Sequence, residues 1–344
     1  MLSSLRRYAS RARGVAHARA ASFVSFDGVP TPPAEAKVSI FDVAFLRGNG
    51  AFEVCRVLPG GRLRAPELHL ARLLRTAAAL DLPLPPIDRL RQWLAEAAAS
   101  GSALDAEGGG SGDGAVRLLA TRGGRSAPAA GGAASLVVAE PTVIIAWERL
   151  PTWPESMSLL PMCAPWHPAG EPGWETAKWL SYATNVRSTA KAQAQGYDDA
   201  LLTTRSGTVL DGPNFAVGWF SRVDGGFESP SWQQLGMLQS VTCTLACRAA
   251  AEVLEVPVRE GAFSLRHVLD VADEMVVLSS TRDALPVRCI GLPVGVGAGG
   301  AGGASGTATG GGAAEEAAAA VHELPGDGSR AEALRRGMLA VLDA

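Results

Sequence analysis

Short apolar runs bounded by glycines and turns recur along this chain between stretches whose apolar residues fall at helical spacing, so strands and helices mix throughout. Folded sequence begins at Phe23, and Val24 to Gly28 reads as a strand and turn. Val38 to Phe41 and Ala51 to Leu58 read as strands bounded by glycines. Over residues 66–81, Leu70, Leu73, Leu74, Ala77 and Leu80 fall on one side of a helix, which Pro83, Pro85 and Pro86 stop. Residues 88–99 predict a second helix. Residues 101–114 hold six glycines and little apolar matter, and read as a flexible loop. Val116 to Thr121 and Ser135 to Ala139 return to strand. Ala200 to Thr204 and Thr208 to Leu210 predict a hairpin closed by Arg205-Ser206-Gly207. Val217 to Ser221 reads as a strand, Val241 to Leu254 as a helix, Glu274 to Ser279 as a buried strand and 330–343 as a short helix. Residues 291–312 are half glycine and read as disordered. No internal repeat is present.

This mixture predicts an α/β (α+β) class with two sub-domains. The first spans 22–140 and is the smaller. A proline-rich linker and crossing occupies 141–172, and the larger sub-domain runs over 173–344.

Composition narrows the function. The 344 residues are 47% hydrophobic and 19% charged, as a globular protein requires. A net charge of −3 gives no basic field for nucleic acid. No apolar run approaches the roughly 20 residues that span a bilayer, which argues against a membrane partner. The five cysteines form no CxxC pair and read as buried thiols in a reducing compartment, with Cys243 and Cys247 one helical turn apart. The five histidines lack metal-ligand spacing, so no metal is expected. Residues 1–21 carry Arg6, Arg7, Arg11, Arg13 and Arg19 and no acidic residue. That is the composition of a transit peptide and predicts a chloroplast or mitochondrial destination, with a plainly disordered N-terminus in a cytoplasmic protein as the other reading.

Three lysines stand against 28 arginines, so any chemistry that needs a lysine amine is confined to Lys37, Lys178 and Lys191. Lys37 in a turn and Lys191 between Ala and Gln on a helix read as solvated. Lys178 lies between Trp174 and Trp179 at the head of an uncharged stretch reaching Asn185.

Several segments follow one another in a specific order. Asp42-Val43-Ala44-Phe45-Leu46-Arg47-Gly48-Asn49-Gly50-Ala51-Phe52-Glu53 is followed by His69-Leu70-Ala71-Arg72-Leu73-Leu74-Arg75-Thr76-Ala77, then by Lys178-Trp179-Leu180-Ser181-Tyr182. Gly196 to Leu202, Gly207-Thr208-Val209-Leu210-Asp211-Gly212-Pro213, Gln239-Ser240-Val241-Thr242, Ala272 to Met275 and Pro286-Val287 complete the series. Over about residues 23–295 this order resembles the class IV aminotransferases of fold type IV, which include branched-chain aminotransferases, D-amino acid aminotransferases and aminodeoxychorismate lyases.

The resemblance implies pyridoxal 5'-phosphate held at the sub-domain interface, a homodimer, and an amino acid and a 2-keto acid as small-molecule partners. It makes Lys178 the Schiff-base lysine. Such an amine must be neutral part of the time, a state favoured by desolvation or a nearby cation. Asp211 takes the place of the carboxylate that keeps the cofactor's ring nitrogen protonated, where the family usually has glutamate. Val241 and Thr242 open a helix whose free amides suit a phosphate, with capping by Ser240 or Thr242 as the plain reading. Ser280 and Thr281, after a buried strand that ends at Ser279, are further phosphate donors. Arg72, off the apolar stripe of its helix, is expected to give the phosphate a charge-assisted bond. Tyr182 is placed near the phenolic oxygen. Arg117 and Arg125, with Arg122 between them, are the candidates for the substrate carboxylate. Arg47 stands where relatives often have an aromatic residue, and Ala216 where they often have asparagine. Three activities follow as readings: transamination, pyruvate release from aminodeoxychorismate, and binding by a non-catalytic family member.

Overall fold

The computed structural model describes residues 21–123, 141–165, 177–292 and 321–343. The chain divides into two compact units. Among the described residues, the first holds 21–123, 141–153, 177–182 and 280–282, and the second holds 154–165, 183–279, 283–292 and 321–343.

The first unit is built on an antiparallel sheet of β1 (Ala21–Phe26), β2 (Val29–Pro30), β3 (Gly50–Leu58), β4 (Arg62–Leu63), β5 (Gly114–Thr121) and β6 (Thr142–Arg149), in the order β2-β1-β6-β5-β3-β4. Side chains alternate across each strand. Ala51, Cys55 and Val57 of β3 and Val116, Leu118 and Ala120 of β5 therefore share one core with Leu70 and Leu73 of the helix Pro66–Ala79 and Leu90 and Leu94 of the helix Ile87–Glu107. Each leucine buried this fully contributes roughly 1.5–3 kcal/mol.

Four expectations change here. Val38 to Phe41 forms no strand. Val38, Ile40 and Phe41 are exposed, and Asp42 starts the helix Val43–Arg47. One carboxylate oxygen of Asp42 accepts the Ala44 N–H at 2.8 Å and the other the Thr121 hydroxyl at 2.7 Å, so the cap decides the local structure. Leu74 faces solvent although Leu70, Leu73 and Ala77 are buried. The second helix runs through Glu107, well into the glycine-rich stretch, because Gly101 lies against the Trp147 ring. A Cβ there would come within 2.2 Å of Trp147 Cγ. Beyond it, the Ser102 hydroxyl donates to the Gly112 carbonyl at 2.8 Å, and Asp105 accepts the Gly112 N–H at 3.0 Å and Arg149 Nε–H at 2.7 Å. The stretch 141–172 contains strand β6, whose run from Thr142 to Arg149 carries no proline and buries Val143, Ile145 and Trp147.

The second unit is a mixed sheet of β7 (Met157–Cys163), β8 (Asp199–Thr203), β9 (Ala216–Ser221), β10 (Phe227–Pro230), β11 (Val258–Gly261), β12 (Ala272–Ser279), β13 (Asp283–Gly291) and β14 (Val321–Glu323). Its order is β11-β10-β9-β12-β13-β7-β8, with β14 paired to β13. The all-apolar run Met275–Leu278 occupies its middle, wholly buried. Helices Ala183–Ala194, Val241–Glu252 and Ser329–Asp343 pack on it. The hairpin read from sequence is present: the Thr204 N–H donates to Thr208 O and the Leu210 N–H to Leu202 O, with Gly207 at φ 83°. All five cysteines are free, and the thiols of Cys243 and Cys247 both approach Ser229 Oγ, at 3.6 and 3.8 Å.

The strand read at Ser135 to Ala139, residues 1–20 of the transit-like segment and 293–312 of the glycine-rich segment lie outside the described residues. No helix among the described residues is long and apolar enough to cross a membrane. No group of three or more His, Cys, Asp or Glu among them could hold a metal ion.

Candidate active site

Strand β3 pairs with β5 from Gly50 to Val57 on one side. On the other side β4 covers only Val57 and Leu58, which leaves the edge at Gly50–Phe52 open for pairing. The segment around Lys178 takes that edge. The Phe52 N–H donates to the Lys178 carbonyl at 3.0 Å, the Leu180 N–H donates to the Gly50 carbonyl at 2.9 Å, and Ala51 and Trp179 form an antiparallel bridge. Gly50 is required for this approach, since a Cβ there would lie 2.6 Å from Leu180 Cδ1 and 2.8 Å from the Ala120 carbonyl. The Lys178 N–H turns away from β3 and donates to Thr76 Oγ1 at 2.9 Å.

Alternation along β3 sends Phe52 to the face opposite Ala51 and Glu53. The Lys178 amine lies 4.2 Å over the Phe52 ring and 5.5 Å from the Tyr182 ring centroid, and donates to Tyr182 Oη at 3.3 Å. The two rings meet edge to face at 5.0 Å. Lys37 and Lys191 are exposed.

On the helix side of β3, Glu53 is buried against Arg72 and His69. Arg72 Nε–H and one terminal N–H donate to the two carboxylate oxygens at 2.7 Å each, and His69 Nδ1 lies 2.8 Å from Glu53 Oε2. Burial alone would raise the Glu53 pKa. The charge and hydrogen bonds of Arg72, with those of His69, outweigh it and hold the carboxyl at about 2. Burial pushes His69 below its usual value despite the neighbouring carboxylate. A neutral imidazole facing an ionised carboxylate must carry its proton on Nδ1, because that carboxylate can only accept. Arg72 is therefore not off the stripe, as periodicity suggested. It is buried in the stripe, because a carboxylate on the facing strand neutralises it.

Arg117 shares the Phe52 face of the sheet, opposite Val54 in register, and its guanidinium turns to Glu148 at 3.2 and 3.5 Å. Arg122 bonds to the Leu80 carbonyl and to Asp81. Arg125 lies outside the described residues. Arg47 ends its short helix, exposed. Ser280 and Thr281 sit in the turn after β12, where the Thr281 carbonyl accepts Trp153 Nε1–H at 2.8 Å and Arg282 stacks on the same indole at 4.2 Å.

In the second unit, Asp211 follows the hairpin and its carbonyl accepts the Leu202 N–H at 2.8 Å. The next residue must be glycine, since a Cβ on Gly212 would meet the Phe215 ring at 2.1 Å. Asn185 Nδ2 donates to the Pro213 carbonyl at 2.6 Å, which ties the helix Ala183–Ala194 to this turn. Val241 and Thr242 form the first turn of their helix and are buried. Ser240 supplies the cap, accepting the Cys243 N–H at 3.2 Å. Ala216 opens β9.

Sequence reasoning gave no role to Phe52, Glu53, His69 or Thr76, although all four stand inside the ordered motifs. The signal was the spacing of His69, Arg72 and Thr76, three and then four residues apart, a polar line through an otherwise apolar helix face.

The family model for Amino-transferase class IV matches residues 50–290. The chain belongs to the class IV aminotransferases. That family consists of enzymes dependent on pyridoxal phosphate, and this chain has its two-domain type IV fold. It is 32% identical over 206 residues to a Mycobacterium tuberculosis bifunctional aminodeoxychorismate lyase / D-amino acid transaminase, covering 56% of this chain and 64% of the relative. It is 26% identical over 273 residues to an Arabidopsis thaliana chloroplastic D-amino-acid transaminase, covering 76% and 66%. The chain thus spans just under two thirds of the length of each of these two curated relatives. A PLP-bound hypothetical aminotransferase from M. tuberculosis superposes with a TM-score of 0.71 at 22% identity, over 93% of this chain and 98% of that one, a likeness of fold.

Proposed function

We propose that this class IV aminotransferase moves an amino group between an amino acid and a 2-keto acid, with Lys178 as the residue that binds the cofactor and carries the proton. The observation that carries this reading is the Lys178 amine, set between Phe52 and Tyr182 at the edge of β3. Each unit holds groups of the kinds that pyridoxal phosphate takes: the Lys178 amine and the Tyr182 phenol in the first, and the Asp211 carboxylate and the N-terminus of the helix Val241–Glu252 in the second. When bound, the cofactor supplies an electron sink for negative charge at the substrate's α-carbon.

The chain's own residues do the rest. Lys178 Nζ takes and returns a proton, and Tyr182 and Phe52 fix where that nitrogen stands. Asp211 holds a proton on the ring nitrogen. The amides of Val241 and Thr242 receive the phosphate, helped by the helix dipole, with Arg72, Ser280 and Thr281 as further donors to it. Arg117 and Arg125 are the proposed partners of the substrate carboxylate.

A D-amino acid is the proposed donor, because two of the curated relatives carry D-amino acid transaminase in their names. The branched-chain type is the other transaminase reading. The first relative's name also favours a second reaction, pyruvate release from aminodeoxychorismate. Titrating the purified yellow enzyme with D-alanine, D-glutamate, L-leucine and L-valine separates these. Loss of the visible band with the D-amino acids is expected. A response to the L-amino acids alone would replace the D-type with the branched-chain type. Pyruvate from aminodeoxychorismate without any keto-acid acceptor would establish the lyase. An enzyme inert to every compound would end the transaminase reading.

We also propose a homodimer. Ile40, Phe41 and Phe45 are 64%, 59% and 73% exposed within a short stretch of the first unit, an apolar patch that a second copy would cover. Light scattering should give twice the chain mass for the wild type and the single mass for Phe41→Asp combined with Phe45→Asp. A fully active wild-type monomer would contradict this. For residues 1–21 the proposed role remains organelle targeting, supported by their composition and by a relative named as chloroplastic.

A further inference from the structure

We infer that Thr76 is a positioning residue for Lys178, its buried hydroxyl fixing the main chain from which the amine is presented. This rests on the reading that Lys178 binds the cofactor.

In an antiparallel ladder a bonded pair exchanges two hydrogen bonds, so the residue that accepts from Phe52 would normally donate back to it. Lys178 accepts the Phe52 N–H and gives its own N–H to Thr76 Oγ1 instead, at 2.9 Å. The ladder between β3 and residues 178–180 therefore ends at the lysine, and the bond that ends it comes from the helix Pro66–Ala79. Thr76 is 1% exposed, so water does not replace it.

The same helix face is anchored one turn earlier. Arg72 and His69 grip Glu53, the neighbour of Phe52 on β3. Three residues on one helical line thus hold adjacent points of the β3–Lys178 pairing, two through Glu53 and one through the lysine's own peptide. The amine's position over Phe52 and beside Tyr182 depends on all of them, and Thr76 is the one that touches the lysine.

Thr76→Val keeps the shape and removes the hydroxyl, Thr76→Ala removes both, and Thr76→Ser keeps the acceptor. In purified enzyme, Thr76→Val is expected to weaken cofactor retention, followed by absorption on dilution, by about tenfold. It should lower kcat by about tenfold with KM little changed. Thr76→Ser should restore both to within about twofold. Wild-type retention and kcat in Thr76→Val, or equal damage in Thr76→Ser, would overturn the inference. Failure of both Val and Ala variants to fold beside an intact Thr76→Ser would make the residue structural only, and would overturn it equally. Lys178→Ala tells the two levels apart. If that variant is dead while Thr76→Val is unaffected, only this inference falls. If it still turns over, the reading beneath it falls as well.

Discussion

Lys178→Ala is expected to lose at least roughly 100-fold and as much as 10,000-fold in turnover, because one side chain both binds the cofactor and moves the proton. No other residue of the chain offers a substitute. Lys37 and Lys191 are the remaining lysines, and both are exposed. Tyr182 offers a phenol within 3.3 Å of the amine, which positions a proton without supplying a nucleophilic nitrogen. Lys178→Arg sharpens the test. A guanidinium keeps the positive charge over Phe52, yet it does not deprotonate in a protein. Loss of turnover in Lys178→Arg would mean that the neutral amine is needed, rather than a cation at that place. The measurement is single-turnover conversion with the best amino donor. Wild-type rates in the arginine variant would remove Lys178 from the chemistry.

The lysine was legible in the sequence for a reason particular to this chain, since a composition with three lysines leaves little to choose from and the motif around Lys178 singles it out. The glycine-bounded apolar run at Ala51–Leu58, the hairpin at Gly207 and the helix after Ser240 were legible too, because their signals are local. What the sequence hid depends on partners far along the chain. Arg72 reads as lying off the apolar stripe until Glu53, on a strand 19 residues earlier, is seen facing it. Thr76 reads as filler until residues 178–180 add to the edge of β3, 102 residues away. Gly101 reads as a helix breaker until the Trp147 ring is found against it. The run Val38–Phe41 has the apolar residues of a strand but pairs with no strand among the described residues, and Asp42 turns the chain into a helix. Arg117 was placed on a strand correctly, while its pairing with Glu148 was invisible.

The buried trio of Glu53, Arg72 and His69 carries the second large effect, and it is one of stability. Glu53→Gln preserves the shape of the carboxylate and leaves the Arg72 charge buried without its counter-charge. Removing one partner of such a pair costs about 3–5 kcal/mol, which lowers the melting temperature by about 10 °C in a protein of this size. The pH dependence has a definite sign. The Glu53 carboxyl is held at about 2, against 4.5 in an unfolded chain. Its contribution is full above about pH 4.5 and is lost as the pH falls toward 2, on the order of 3 kcal/mol. His69 acts in the same sense from higher pH. Its folded pKa lies below the ordinary value of 6.5, so the unfolded chain binds the extra proton first as the solution is acidified. The wild type should therefore lose stability from about pH 6.5 downward and more steeply below 4.5, and Glu53→Gln should lack the steeper branch. Adding Arg72→Met to Glu53→Gln removes the orphaned charge and should recover much of the lost melting temperature, whereas cofactor retention should not return if Arg72 also serves the phosphate. Thermal melts from about pH 3 to 8 decide it. A Glu53→Gln curve that matches the wild type at every pH would mean that this cluster, however well bonded, does not hold the first unit together.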